Sequence, residues 1–151
     1  PKTRATLIRG CKRSESMKSK SIASVLFALV FSGAVWAQDK APLFINLASE
    51  GHRATMALTF GTRQLEQGHP VTFFINSEAA RLVSRAYAKQ YGKQQEMIEN
   101  LLDHGAVILV APMFMKENGV SKDDLMPGVT LSTPQTGSVY LYKPNTLSLS
   151  W

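Results

Sequence analysis

The sequence predicts an α/β fold in which helices cover both faces of a mostly parallel sheet. Three short, continuously apolar runs at residues 43–48, 70–76 and 106–110 are typical of buried strands. The segments between them carry apolar residues at intervals of three and four, which is the spacing of an amphipathic helix. Buried strands that alternate with helices favour a parallel sheet, because each crossover lays a helix against the sheet.

Three helices are expected between the first strand and the third, one before the second strand and two after it. The first covers residues 52–67 and ends at Gly68, a typical C-terminal stop. The second covers residues 78–89, and the Tyr91–Gly92 pair separates it from the third, over residues 94–104. The run AVILV that follows is the most apolar of the chain and predicts a central strand.

Shorter elements are expected after this strand. In chain order they are a loop over residues 111–119, a short helix over 122–126, a brief strand over 129–131, a turn or helix over 133–142 and an edge strand over 147–151. The sequence shows no internal repeat and no second domain, so residues 38–151 are expected to form a single domain.

Residues 17–37 have the three-part layout of a secretory signal. Lys18 and Lys20 form a basic start, residues 22–31 form an apolar run, and the small residues Val35 and Ala37 occupy the two positions that a signal peptidase reads, which predicts cleavage after Ala37. The apolar run is shorter than the roughly 20 residues that span a bilayer, although an uncleaved anchor and a buried core helix remain alternatives. We therefore expect a periplasmic protein, with no membrane contact after cleavage.

Residues 1–16 precede the methionine that starts this signal. A signal normally begins close to its initiator, so this segment is interpreted as translated upstream sequence or a misplaced start. It contains Cys11, the only cysteine of the chain. The predicted mature chain therefore has no disulfide, no thiolate nucleophile and no thiolate metal site.

The positive net charge of +6 lies entirely in the leading segment. Residues 1–37 hold seven basic side chains and one acidic side chain, and the remainder holds ten of each sign. A neutral domain has no overall field that attracts a polyanion, so nucleic acid is not an expected partner.

Ligands of open α/β sheets bind beyond the carboxyl ends of the strands. Three loops are expected to meet there: Ser49–His52, Met113–Lys116 and Ser132–Thr133. Glu50 and His52 form an acid–base pair in one interpretation. In the other, Glu50 faces the positive end of a helix dipole and His52 faces solvent.

The loop Met113-Phe114-Met115-Lys116 also has two interpretations. Adaptable apolar side chains at an exposed position suit a ligand or subunit surface, but they equally suit a plug of the core. Lys116 either meets an anion or is simply solvated. The sequence has no glycine-rich phosphate loop and its histidines lack metal-ligand spacing, so neither a cofactor nor a metal is expected.

The segment Ala111-Pro112-Met113-Phe114-Met115-Lys116, followed by Asp123-Asp124-Leu125 and Pro127-Gly128-Val129, resembles the DsrE/DsrF-like family. The similarity extends over nearly all of residues 41–151. It implies a flavodoxin-like three-layer α/β/α fold with a sheet of about five strands. It also implies assembly into homo-oligomers or hetero-oligomers.

Well-understood members of that family relay sulfur as a persulfide on a cysteine of this loop. Ala111 and Phe114 stand where close relatives often carry cysteine, and neither side chain can form a thiolate. The resemblance therefore predicts a non-catalytic oligomer subunit or small-ligand binder linked to sulfur metabolism. The alternatives are an inert partner of a cysteine-bearing homologue and an enzyme that uses Glu50, His52 and Lys116.

Overall fold

The computed structural model describes Lys40–Trp151, and the predicted signal and leading segment lie outside these residues. The strands are β1 (Leu43–Leu47), β2 (Val71–Ile75), β3 (Val107–Val110), β4 (Thr130–Leu131) and β5 (Leu147–Ser150). The α-helices are α1 (His52–Glu66), α2 (Ala88–Asp103), α3 (Pro112–Glu117) and α4 (Pro134–Leu141). Three 3-10 segments complete the described elements: Ser77–Val83, Arg85–Tyr87 and Lys122–Asp124.

The five strands form one fully parallel sheet in the order β4-β3-β2-β1-β5. The fold class is therefore the predicted α/β sandwich of the flavodoxin-like class, although flavodoxin itself has the order 2-1-3-4-5. Strands β1 to β4 lie side by side in chain order. The chain then crosses back over the sheet, so that β5 pairs with the other edge of β1. Right-handed crossovers consequently put α1 and α2 on one face and α4 on the other.

The core lies between the sheet and the layer of α1 and α2. Side chains that alternate along the strands fill it, because successive residues of a strand point to opposite faces. These fully buried side chains are Ile45, Leu47, Phe73, Ile75, Ile108 and Val110. Helix α1 approaches closely at Gly61, where an added Cβ would lie 2.5 Å from the Phe73 ring.

The opposite face of the sheet has a different character. Phe44 and Asn46 of β1 point to it, together with their register partners Ser148 and Ser150 of β5 and with Phe74 of β2. Both serines are exposed. The apolar floor and polar margin of this face are the features that position the candidate site.

Three predictions differ from the structure. The helix predicted over residues 78–89 is not continuous: residues 78–87 form two 3-10 turns interrupted by Ser84, which is extended and bridges Leu125, and only Ala88 and Lys89 are α-helical, as the start of α2. The predicted break at Tyr91–Gly92 is only a kink at Tyr91 within α2. The predicted loop over residues 111–119 contains α3, because Pro112 at its first position suits a helix start.

The described helices are all too short or too polar to cross a membrane.

Candidate functional site

A cleft of about 590 Å³ opens on the face of the sheet that α1 and α2 do not cover. Its floor comes from β1, β2 and β5, and its walls come from the segments that begin α3 and α4. The volume lies within the range of small-molecule sites. The cleft also lies beside β1 and β5, where the strand order reverses, which is the usual ligand position in open α/β sheets.

The floor is aromatic. The rings of Phe44 and Phe74 lie 6.2 Å apart between centroids, with an interplanar angle of 22°. Phe44 is buried and Phe74 is partly accessible. Offset stacking at this distance is favourable and holds both rings in place, so the floor is a preformed apolar surface.

Asn46 supplies the main polar group of the floor. Its Oδ1 accepts a hydrogen bond from the Nδ2 of Asn76, which extends the line of β2. Its own Nδ2 lies 3.5 Å from the Oγ of Ser150. Because Asn76 occupies the oxygen, the amide presents its N–H groups toward β5.

One wall is the start of α3. Met113 is 60% exposed and lines the cleft, whereas Met115, two residues on, is buried in the core. Phe114 lines the cleft and also packs against the core cluster. Lys116 is exposed and is not among the lining residues.

Asn118 secures this wall to the sheet. Its Nδ2 donates to the carbonyl oxygen of Phe114 at 2.8 Å and to that of Ser77 at 2.8 Å. Ser77 has a φ of 47°, a conformation that L-residues adopt only at a cost. The hydrogen bond from Asn118 offsets part of that cost and joins α3 to the carboxyl end of β2.

The second wall is the start of α4. Thr133 and Thr136 form a reciprocal capping box, and Pro134 occupies the first helical position. Ser132 is buried and its hydroxyl donates to the carbonyl of Thr133. A Cβ at Gly137 would lie 3.4 Å from the Ser132 Oγ, so a glycine there lets the helix lie close to the end of β4.

Glu50 belongs to a separate cluster on the α1 side of the sheet. Its Oε2 accepts a hydrogen bond from the Tyr91 hydroxyl and lies 3.3 Å from the Nη1 of Arg81. Burial, together with the hydrogen bond to Glu50, raises the pKa of Tyr91. A hydrogen bond with Tyr91 raises the pKa of Arg81. These contacts make Glu50 a structural partner of the α2 kink.

The structure brings four of the predicted site residues together. Met113, Phe114, Ser132 and Thr133 line the cleft. Glu50, His52, Met115 and Lys116 do not line it. His52 is exposed at the first turn of α1, and within residues 40–151 no hydrogen bond or ion pair joins it to Glu50 or Lys116.

Sequence reasoning missed the floor of the cleft. Phe44, Asn46, Phe74, Ser148 and Ser150 were assigned only to strands. A signal was present, because Asn46 is a polar residue within an apolar strand and serines alternate along the last strand. Which face those side chains share depends on the pairing of β1 with β5, which the sequence does not reveal.

Charged side chains are absent from the described residues that line the cleft. Within residues 40–151, His, Asp and Glu side chains form no group of three that could hold a metal ion. The cleft therefore offers hydroxyl groups, one amide, aromatic rings and a thioether as its recognition chemistry.

Two solved structures share this architecture. The ychN protein from E. coli superposes with a TM-score of 0.65 at 17% identity, over 74% of this chain and 100% of its own. The chain has the same fold. MTH1491 from Methanobacterium thermoautotrophicum, a protein of unknown function, gives a TM-score of 0.58 at 14% identity, over 74% and 100%. No protein-family model and no curated protein matches the sequence.

Proposed function

We propose that this protein is an exported, non-catalytic DsrE-like subunit that binds a small molecule in the cleft. The observation that carries the proposal is the cleft itself, a preformed apolar recess of about 590 Å³ at the switch point of the sheet. The sequence resemblance in residues 111–129 and the fold shared with ychN support the family assignment.

Binding rather than catalysis suits the composition of this recess. Ala111 and Phe114 line the cleft at the positions where the resemblance expects cysteine. A persulfide needs a thiolate, and an aromatic ring there instead enlarges the apolar surface. A link with sulfur metabolism rests on the resemblance alone.

Assembly is the second part of the proposal. Val139 on α4 is 63% exposed, Tyr142 directly after that helix is 79% exposed, and Met113 at the cleft margin is 60% exposed. Contiguous exposed apolar surface is typical of subunit contacts, and these side chains are candidates for such a surface. We therefore propose a homo-oligomer or a hetero-oligomer with a DsrE-like homologue.

The signal pattern of residues 17–37 supports export to the periplasm. Native mass spectrometry of protein purified gently from its host tests export and assembly together. We expect a subunit that begins at Gln38, in a complex of more than one chain. A monomer that retains residues 17–37 would contradict both parts of the proposal.

A charge placed in the cleft tests ligand binding. Met113→Asp introduces a carboxylate at an exposed lining position. We expect it to lower the affinity for retained or added small molecules by about tenfold or more, because an unpaired charge opposes apolar burial. The matched control is Lys116→Asp, on the same helix but outside the cleft. Equal binding by both variants, measured by thermal shift with a fragment library, would contradict the proposal.

A further inference from the structure

We propose that the ligand of this cleft is an uncharged aromatic ring that carries hydroxyl or carbonyl oxygen. This inference rests on the proposed function, because it specifies the chemistry of the molecule that the cleft binds. Three properties of the site lead to it: the lack of compensating charge, the aromatic floor, and the orientation of one amide and two hydroxyl groups.

The described residues that line the cleft include no charged side chain that would compensate a buried charge. None of its described lining residues is ionisable, and removing an unpaired charge from water carries a large free-energy cost. Helix starts often bind anions through free N–H groups. Here Pro134 has no N–H, and the amides of Thr133 and Thr136 are already bonded within the capping box. The start of α3 likewise has a proline, Pro112.

The apolar surface of the cleft suits a flat ring. Phe44 and Phe74 stack at 6.2 Å and leave Phe74 partly accessible, so a planar ligand can extend the stack. Phe114 and Met113 face the same space from α3. Thioether contacts with aromatic rings are also favourable, which makes Met113 an adaptable cover for a ring.

The polar groups lie along one margin of the floor. Ser148 and Ser150 project from β5 on the same face as Phe44 and Asn46. Asn46 directs its N–H groups toward them because Asn76 occupies its oxygen. Ser148 forms no side-chain hydrogen bond with any described residue. Amide donors and hydroxyl groups match oxygen atoms on the ring of a ligand.

Three probes of similar size test this class. They are 4-hydroxybenzamide, 4-hydroxybenzoate, which differs chiefly in its negative charge at pH 7.5, and trans-4-hydroxycyclohexanecarboxamide, which keeps both polar groups but lacks the flat ring. Affinities are measured by NMR titration of protein expressed from its full sequence, in the form that the cell accumulates. We expect the hydroxybenzamide to bind about tenfold or more tightly than either analogue, with shifts at Asn46, Ser148 and Ser150.

The substitution Asn46→Asp tests whether the ligand contacts the N–H groups of Asn46. An aspartate keeps the oxygen that Asn76 contacts but replaces the N–H donors with a charged acceptor. We expect at least an approximately tenfold loss of hydroxybenzamide affinity. Asn100→Asp is the control, because it adds the same charge at an exposed position on α2, outside this cleft.

The outcomes separate this inference from the proposed function. Equal or tighter binding of the benzoate or of the saturated amide would overturn the aromatic, uncharged class while leaving small-molecule binding in place. If a library of neutral and charged fragments produced no shift at any cleft residue, the proposed function itself would fail. Unchanged affinity in Asn46→Asp would show that the polar margin does not contact the ligand.

Discussion

Ser77 and Asn118 show at the scale of single residues how the cleft wall is held. The left-handed φ of 47° at Ser77 costs about 1–2 kcal/mol for an L-residue, and Asn118 hydrogen-bonds the Ser77 carbonyl. Costly backbone conformations persist where surrounding contacts over-determine them, and they cluster near functional sites. The pair therefore joins the end of β2 to the helix that bears Met113 and Phe114.

Ser77→Gly is expected to stabilise the protein by about 1 kcal/mol. Glycine adopts positive φ without steric cost, and that gain exceeds the added entropy of the unfolded chain. The free energy of unfolding in urea measures the change. Ser77→Ala is the control, since alanine retains the penalty. A stabilising effect of alanine equal to that of glycine would show that backbone strain is not the cause.

The raised pKa of Tyr91 predicts that the stability of the protein depends on pH. Its folded-state pKa lies above the ordinary value of 10.0, mainly because of burial. Above pH 10 the unfolded chain therefore loses this proton before the folded chain does. The stabilising contribution is fully present below pH 10 and is lost as the pH rises through the folded-state pKa.

Tyr91→Phe isolates this contribution from the titration of other groups. We expect the stability difference between the wild type and the variant to be constant from pH 7 to about 9, and the wild type to lose stability relative to the variant at higher pH. Urea unfolding at a series of pH values measures it. Parallel curves up to pH 12 would contradict the assignment.

At the scale of elements, the contact between α1 and β2 depends on one residue without a side chain. Gly61 lies in the middle of α1, where glycine costs about 1 kcal/mol relative to alanine. The structure accounts for its presence, because a Cβ there would lie 2.5 Å and 2.7 Å from atoms of the Phe73 ring. Helix propensity is given up so that the helix can pack closely on the sheet.

Gly61→Ala is accordingly expected to destabilise the protein by about 1–3 kcal/mol, as overpacking of a core does. Gly92→Ala in α2 is the matched control, because a Cβ at Gly92 has no neighbour within 4 Å. That substitution should stabilise by up to about 1 kcal/mol through helix propensity. Thermal or urea unfolding compares the two, and a stabilising Gly61→Ala would refute the close contact.

At the scale of the whole molecule, the buried core cluster of the described residues is built from residues 43–126. The described residues include all five strands and the helices packed on them. A chain of residues 38–151 is therefore expected to fold cooperatively on its own. A single urea transition with coincident fluorescence and circular dichroism would support this, and a non-cooperative transition would contradict it.

The strand order also determines where a ligand site can lie. The return of the chain from β4 to β5 sends α4 to the face opposite α1 and α2. Among residues 40–151, this short helix covers only part of that face, and the cleft lies where the described chain leaves the sheet open. The site therefore follows from the topology as much as from any individual side chain.

Local sequence patterns predicted the α/β class, the five strands and the first long helix, because strand and helix periods are local properties. The α-helix predicted over residues 78–89 was wrong for residues 78–87, since their apolar spacing also fits the 3-10 turns that the structure shows there. Ligands of open α/β sheets bind beyond the carboxyl ends of the strands. That rule predicted four of the residues that line the cleft: Met113, Phe114, Ser132 and Thr133.

Strand pairing brings Asn46, Ser148 and Ser150 beside Phe44 and Phe74. Glu50 lies outside the cleft, where it is hydrogen-bonded to Tyr91. The tertiary structure was needed to show both. Strand pairing across about a hundred residues decides which side chains share a face, and local sequence carries no record of that pairing.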